Sequence, residues 1–457
     1  MLIGGGSTLP GPRLPRPVAG VRFLATEHRM LARYRRKYGD VFAVSVWPFD
    51  PLVVVGDPAE VKRIFKGDPA QLHAGEGNQV LGPLVGPHSV LVLDDKPHLR
   101  TRKLLLPPFH GERMRVYGDI MRELAEAEVA TWPAGEEFPL HPAMQRLTLR
   151  IILRTVFGLE EGARMAELEA ALVTVMAHGA RTMLIPLLQH DFGPGSPQRR
   201  FEAARDRVDA LLLAEIARRR DSGDRGSDVL SMLLEARGED GEPPSDAELR
   251  DHLVTLLLAG HETTATQLSW TFERLVRHLD AMERAASGDA AYVDAVIQET
   301  QRIRPVLTYV MRTLKAPMTV AGHEVPEGAT LGTSITLMHR RADLYPDPLA
   351  FRPARFLGAK PETYSWIPFG GGVRRCLGAP FASFEMREVL RRVHLRAPTQ
   401  RPERGVIRHV TVVPGRGARA VVTDRLAVEP AAELAGADDG RPGVADAARE
   451  VAVRGHD

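Results

Sequence analysis

The sequence predicts a mainly α-helical chain with small β-sheets, an α+β fold. Three observations predict it. A capping box, Ser245-Asp246-Ala247-Glu248, opens a helical run that extends to about His278, roughly 30 residues or ~50 Å. Residues 112–213 are helical in pattern almost throughout, broken by Gly193-Pro194-Gly195-Ser196-Pro197. Strand-like runs are short: 41–46, 52–55, 319–325, 406–413 and 418–423.

Each element has a local reason. Residues 1–17 are rich in Gly and Pro and read as a stiff lead-in segment. Residues 27–38 are helical in pattern, and Asp50-Pro51 turns the chain between two strands. Residues 72–89, rich in Gly, Pro and His, read as a long loop, and such loops often carry function. Asp94-Asp95-Lys96-Pro97 starts a helix, with acidic residues at the cap and Pro in the first turn. On it, His98 and Arg102 stand four apart and share a face. The middle of the long run, from Leu253 to Gly260, is apolar all round, so that helix passes through the interior. A helix over 291–302 is closed by Pro305. Residues 343–368, rich in Pro and aromatics, read as irregular but packed. Residues 426–457 hold almost no large apolar side chains and are expected to be disordered. The chain thus divides into 1–17, a folded body over 18–425, and a tail over 426–457.

The 457 residues suggest about three domains at ~150 residues each, or one large domain. Apolar residues make up 44 %, enough for a sizeable core. Sixty basic residues against 58 acidic ones leave a formal charge of +2, without the basic excess that nucleic acid requires. A single cysteine excludes a disulfide framework and fits a reducing cytosol. No apolar run approaches the ~20 residues of a membrane span, and the N-terminus lacks the apolar core of a signal peptide.

That cysteine, Cys376, lies in Phe369-Gly370-Gly371-Gly372-Val373-Arg374-Arg375-Cys376-Leu377-Gly378. A run of helix formers, 381–393, follows it. The thiol sits where a tight loop feeds a helix N-terminus, a setting that favours a thiolate. The glycines allow the backbone to approach something flat and bulky. Taken alone, a free cysteine is most often a small buried hydrophobe. One thiolate cannot build a cysteine-only zinc or iron–sulfur site. A one-thiolate centre or an activated nucleophile remains. A cysteine hydrolase needs a histidine base close by, and His394 stands at the far end of the following helix.

The spacing Phe369, Gly372, Arg374, Cys376, Gly378 resembles the haem-binding loop of the cytochrome P-450 family. The resemblance covers about residues 10–425 and implies that family's fold, with haem between the long central helix and the helix after Cys376. It implies haem b as cofactor and Cys376 as the axial iron ligand. It places His98, Arg102, Arg312 and Arg374 at the haem propionates, with Phe369 and Gly378 also in the cofactor loop. Ala259-Gly260-His261-Glu262-Thr263-Thr264 resembles the family's oxygen-activation element. It assigns Thr263 to hydrogen bonding at the reacting oxygen and Glu262 to proton relay. By itself the stretch is a polar kink in a core helix as readily as a site. Its geometry lets Thr263 bond back to the Ala259 carbonyl, and Gly260 leaves space for a ligand. His261 receives no role. Glu299-Thr300-Gln301-Arg302 by itself is an ordinary ion pair on a helix. The resemblance adds Arg355 and makes Glu299, Arg302 and Arg355 a buried structural cluster. One departure is that the connection between Trp270 and Ala291 is short for the family, which puts its helix in doubt.

The function implied is a cytoplasmic, monomeric haem-thiolate monooxygenase that inserts one atom of O2 into a lipophilic small molecule. Neither a flavin nor an iron–sulfur motif is present, so the expected electron donor is a ferredoxin with its reductase, docking near Arg100, Lys103 and Arg375. The alternatives are a peroxide-driven peroxygenase, against which the Glu262-Thr263 pair speaks, and a haem protein that binds or senses without oxidising. Residues 80–91, 183–192, 258–263 and 306–309 are the expected substrate contacts.

Overall fold

The structure is a computed structural model that describes residues 2–3, 7–12, 30–45, 51–111, 113–182, 185–238, 241–358, 361–390, 393–399, 401–408 and 410–425. Its organising element is the central helix, Asp246–Leu275. Ser245 accepts from the Glu248 backbone N–H, and the Glu248 carboxylate returns a bond to the Ser245 N–H, so the predicted capping box forms in full. The helix ends three residues before the predicted His278. It is buried on every side over most of its length, from Leu249 to Leu257 and again from Thr264 to Leu275. Its main neighbour is the helix Leu140–Phe157.

Around this pair pack Arg113–Ala130, Ala163–Thr182, Pro197–Ser222 and the helix after the cysteine, Ala379–Leu390. Phe381 stacks edge-on against Phe109 and Tyr117, which anchors the post-cysteine helix to the bundle. The predicted 291–302 helix spans Ala290–Ile303. The short connection before it holds an eight-residue helix, Leu279–Ala286, with Ala281, Met282 and Ala285 buried, so the doubt attached to that helix is removed.

The β-structure is small, as predicted. One five-stranded sheet has the order Val41–Val44, Leu52–Val55, Thr330–Ser334, Tyr309–Leu314, Leu72–His73. Only the pairing of Thr330 with Leu52 and its continuation is parallel. A three-stranded sheet joins Val393–Arg396, Arg419–Arg425 and Glu137–Pro139. Three two-stranded pairings complete it among the described residues: Leu2–Ile3 with Ser7–Thr8, Met318–Val320 with His323–Val325, and Gly405–Arg408 with Thr411–Pro414.

Four predicted elements differ. The run 319–325 forms a hairpin, Met318–Val320 with His323–Val325, rather than one strand. Residues 72–89 are not a plain loop: they contain the strand Leu72–His73, a 3-10 turn Glu76–Leu81 and a helical turn Gly82–Val85. The run 406–413 is two strands of a hairpin rather than one, because the chain reverses at Arg408 and pairs Val406 with Val413. Asp94 precedes the helix Asp95–Leu105 without a side-chain cap bond, because its carboxylate is committed elsewhere. The beginning of the 27–38 helix, much of 1–17 and the tail 426–457 lie outside the described residues.

Glu385, on the post-cysteine helix, is completely buried, and neither carboxylate oxygen has a protein partner. Burial raises its pKa well above the carboxylate range. The folded state therefore holds a proton that the unfolded chain releases above its ordinary value of 4.5. Stability from this group is fully present below that value and falls as pH rises toward the folded pKa. Glu385→Met is expected to stabilise the protein by ~1–3 kcal/mol near neutrality. The gain should shrink toward pH 4.5, as read by thermal melts across pH. A gain that is constant with pH, or a loss, would contradict this.

Candidate functional site

The cysteine loop is built on glycine for a reason different from the one predicted. A Cβ on Gly371 would lie 2.3 Å from the Phe65 ring, and one on Gly372 2.0 Å from the Phe65 carbonyl oxygen. Gly372 also has φ +64. These two residues let the loop close onto the helix Pro58–Lys66. Gly378 faces open space. The Cys376 N–H donates to the Phe369 carbonyl at 3.0 Å and closes the loop before Ala379 starts its helix.

Cys376 keeps accessible surface although protein surrounds it, the combination expected of a sulfur that opens onto an interior cleft. Burial pushes its thiol up, against the lowering effects of the Gly378 and Ala379 N–H groups and of Arg102 and Arg375. The predicted preference for thiolate is therefore outweighed in the protein by desolvation, and a cation or metal at the sulfur is needed to reverse it.

The four predicted propionate partners converge, three arginines and a neutral histidine. His98 is buried, and its pKa falls to about 3 through desolvation and the positive charges of Arg374, Arg102 and Arg312. Arg102, from the same helix face, is lowered by burial while the Cys376 sulfur opposes. Arg312 reaches in from the five-stranded sheet, is buried, and is lowered to about 10 by burial and by Arg374. Arg374 bonds to the Val90 and Leu93 carbonyls and pairs with Asp94 at 2.5 Å. Asp94 also accepts from the N–H groups of Ala74, Gly75 and Glu76. Asp94 is the carboxylate that acts on both Arg312 and Arg374.

On the central helix the burial is interrupted at Leu258, Ala259, Gly260 and Thr263. Thr263 Oγ1 donates to the Ala259 carbonyl at 2.6 Å, the bond anticipated from the sequence, so its lone pairs remain available as acceptors. Gly260 does not make room for a ligand: its Cβ would meet Ile152 at 2.7 Å, so it permits close packing with Leu140–Phe157. His261 is buried and shares a hydrogen bond of 2.9 Å with Thr148. Glu262 is buried, accepts from Gln145 at 2.7 Å, and is raised by burial above the usual carboxylate range.

Glu299, Arg302 and Arg355 also come together. Glu299 and Arg302 have no exposed side-chain surface and form a two-pronged pair at 2.6 and 2.8 Å. Arg355 Nε donates to Glu299 at 3.1 Å, as does the Arg352 backbone N–H at 2.8 Å. The remaining Arg302 donors meet the carbonyls of His339, Pro348 and Ala350.

Among the described residues no group of three His, Cys, Asp or Glu side chains could hold a metal ion. A metal at Cys376 must therefore bring its other donors with it. The donor set fits a large group with a metal, able to take one sulfur, and two anionic arms for the arginine cluster. A long buried central helix packed against the helix that follows the cysteine, with arginines gathered near the sulfur, defines a class: the chain belongs to the cytochrome P450 family, whose profile matches residues 9–396. It is a haem-binding monooxygenase in the general sense of that family.

Cytochrome P450 135B1 of Mycobacterium tuberculosis is 43% identical over 429 residues, covering 90% of this chain and 90% of its own. Cytochrome P450 135A1 of the same organism is 39% identical and covers 95% and 98%. Among solved structures, retinoic acid-bound cyanobacterial CYP120A1 superimposes with a TM-score of 0.79 at 23% identity, covering 92% of this chain and all of its own. The cytochrome P450DA heme domain gives 0.79 at 22% identity, covering 91% and 96%. These two show likeness of fold.

Sequence reasoning missed Asp94 as the clamp between loop 74–76 and Arg374, and missed His141 and Gln145 beside Glu262. The acidic pair at the helix start was visible but was read as a cap. Nothing local marks His141 or Gln145. A small cavity beside the central helix, distinct from the cysteine loop, is lined by apolar side chains such as Leu84, Leu149 and Leu258 and by Arg205, Asp209, Arg250 and His261. Leu84, Leu258 and His261 belong to the predicted contact stretches 80–91 and 258–263.

Proposed function

We propose that the protein inserts one oxygen atom from O2 into a lipophilic small molecule, with iron protoporphyrin IX held by Cys376. The observation that carries this reading is the convergence of His98, Arg102, Arg312 and Arg374 next to the Cys376 sulfur. His98, Arg102, Arg312 and Arg374 hold the propionates, and Phe369 and Gly378 shape the loop around the ring. The haem, when bound through the thiolate, supplies the oxidising chemistry. The chain's own residues do the rest. Thr263 presents an acceptor oxygen beside Ala259 and Gly260, where the helix surface is open. Glu262, next to it, has a raised proton affinity because burial disfavours its charge, which suits it to pass protons. The apolar run Leu256, Leu257 and Leu258, which leads to the half-open helix face at Ala259 to Thr263, favours a greasy substrate.

Electrons come from a separate protein, a ferredoxin with its reductase, meeting the basic surface that includes Arg375. No helix among the described residues is long and apolar enough to cross a membrane. A cytoplasmic location accords with the single cysteine.

The test is a titration of the purified ferric protein with a panel of lipophilic compounds, followed in the Soret band, and then product analysis with a ferredoxin system. Compounds that shift the band and emerge with one added oxygen support the reading. Shifts without any product favour a binding or sensing role. Thr263→Ala is expected to leave those shifts intact while product per NADPH falls about tenfold and peroxide rises. Unchanged coupling in that variant would remove Thr263 from the mechanism.

A further inference from the structure

The interface between the central helix and Leu140–Phe157 is apolar except for one row. His141, Gln145 and Thr148 stand at i, i+4 and i+7 on one helix. They meet Glu262, Thr266 and His261 on the other. Buried polar groups in such an interface are costly unless satisfied or used. Most of these are satisfied: Gln145 donates to Glu262 Oε2 at 2.7 Å, His141 Nε2 lies 3.3 Å from Thr266 Oγ1, and Thr148 bonds to His261. Glu262 Oε1 is the exception. It is buried, makes no hydrogen bond of normal geometry although the Thr266 hydroxyl also acts on this carboxyl, and stands 3.7 Å from His141 Nε2.

We propose that His141 reloads Glu262 with protons, and that Gln145 and Thr266 hold the two groups in line. His141 is a positioning and relay residue that acts through Glu262; it does not touch substrate. This rests on the proton-relay reading of Glu262 given above.

The placement suits the task. His141 is the second residue of its helix, and its backbone N–H donates to the Gly417 carbonyl, close to where the chain returns to the surface. Arg408, exposed on the Gly405–Arg408 strand, lowers both His141 and Glu262 electrostatically; Glu262 faces His141 at 3.7 Å, and His141 in turn lowers His261. The row therefore links an exposed strand to the residue that precedes Thr263. The energetics run in the same direction. Burial lowers His141 to about 4 and raises Glu262. A proton enters at Nδ1 while the Nε2 proton passes to Glu262 Oε1, the direction that both shifts favour. One proton enters, one leaves, no electrons move, and the imidazole ends neutral.

The direct test follows proton exchange at Glu262 without turnover. The infrared carboxyl band lost in Glu262→Gln identifies the group. After transfer into D2O, that band is expected to shift within the mixing time in the wild type, and at least tenfold more slowly in His141→Gln, which keeps a hydrogen-bonding side chain but cannot relay. Thr266→Val, nearly isosteric, is expected to slow it to a smaller degree. In NADPH-driven turnover, His141→Gln should lower kcat about tenfold and increase the solvent isotope effect, with KM and substrate-induced Soret shifts unchanged. Wild-type exchange in His141→Gln overturns the proposal, as does slowed exchange with wild-type kcat and isotope effect. A different failure, wild-type coupling in Glu262→Gln, would overturn the underlying role of Glu262.

Discussion

Cys376→Ala is expected to abolish the thiolate-type spectrum of the ferrous–CO protein and to reduce product formation on the order of 10³-fold or more, the scale of losing an essential group. The protein should nevertheless fold. Cys376 keeps accessible surface and contributes little packing, and the loop is held by the Phe369–Cys376 backbone bond and by the contacts of Gly371 and Gly372 with Phe65. Circular dichroism and melting temperature without added haem should match the wild type. Haem content should fall without vanishing, because His98, Arg102, Arg312 and Arg374 remain to take the propionates. An unaltered CO spectrum in this variant would refute the assignment of the sulfur as ligand. It is the one thiol in the chain, so no other cysteine can substitute.

Glu299→Ala should produce the largest loss of stability. Its carboxylate accepts from Arg302, Arg355 and the Arg352 N–H, and neither Glu299 nor Arg302 has exposed side-chain surface. Removing one partner leaves the Arg302 guanidinium buried with no counter-charge, a cost of about 3–5 kcal/mol. The expected result is a melting temperature lower by roughly 3–6 °C and poor soluble yield. Glu299→Gln keeps the shape and loses the charge, so it should share most of the defect. If both variants melt within a degree or so of the wild type, the cluster does not hold the segment around Arg352 and Arg355 against the Ala290–Ile303 helix.

The two predictions differ in how far the sequence alone could reach. Cys376 and its loop were legible because ten consecutive residues carry the pattern. The Glu299–Arg302 pair was legible at i, i+3, but its worth was not. On an exposed helix the pair is worth a few tenths of a kcal/mol. The fold makes it a core element by covering it with the 346–355 segment. Glu262 shows the same division. The acid–alcohol neighbours are adjacent in sequence, whereas the raised pKa comes from burial and the orientation comes from Gln145, 117 residues away. The glycines were legible as sites of close approach, but the protein groups that approach Gly371, Gly372 and Gly260 were not: Phe65 and Ile152.

What the sequence determined by itself was local: the capping box at Ser245, the Thr263–Ala259 bond, the shared face of His98 and Arg102, and the thiol at the end of a glycine loop. Each follows from bonded geometry over a few residues. The tertiary structure decided which distant groups share a low-dielectric space. It brought Arg312 and Arg374 to Asp94, gave Glu262 its histidine neighbour, and raised the Cys376 thiol despite its favourable local setting. Desolvation and charge coupling depend on every chain segment that excludes water from a point, and no stretch of ten residues contains that information.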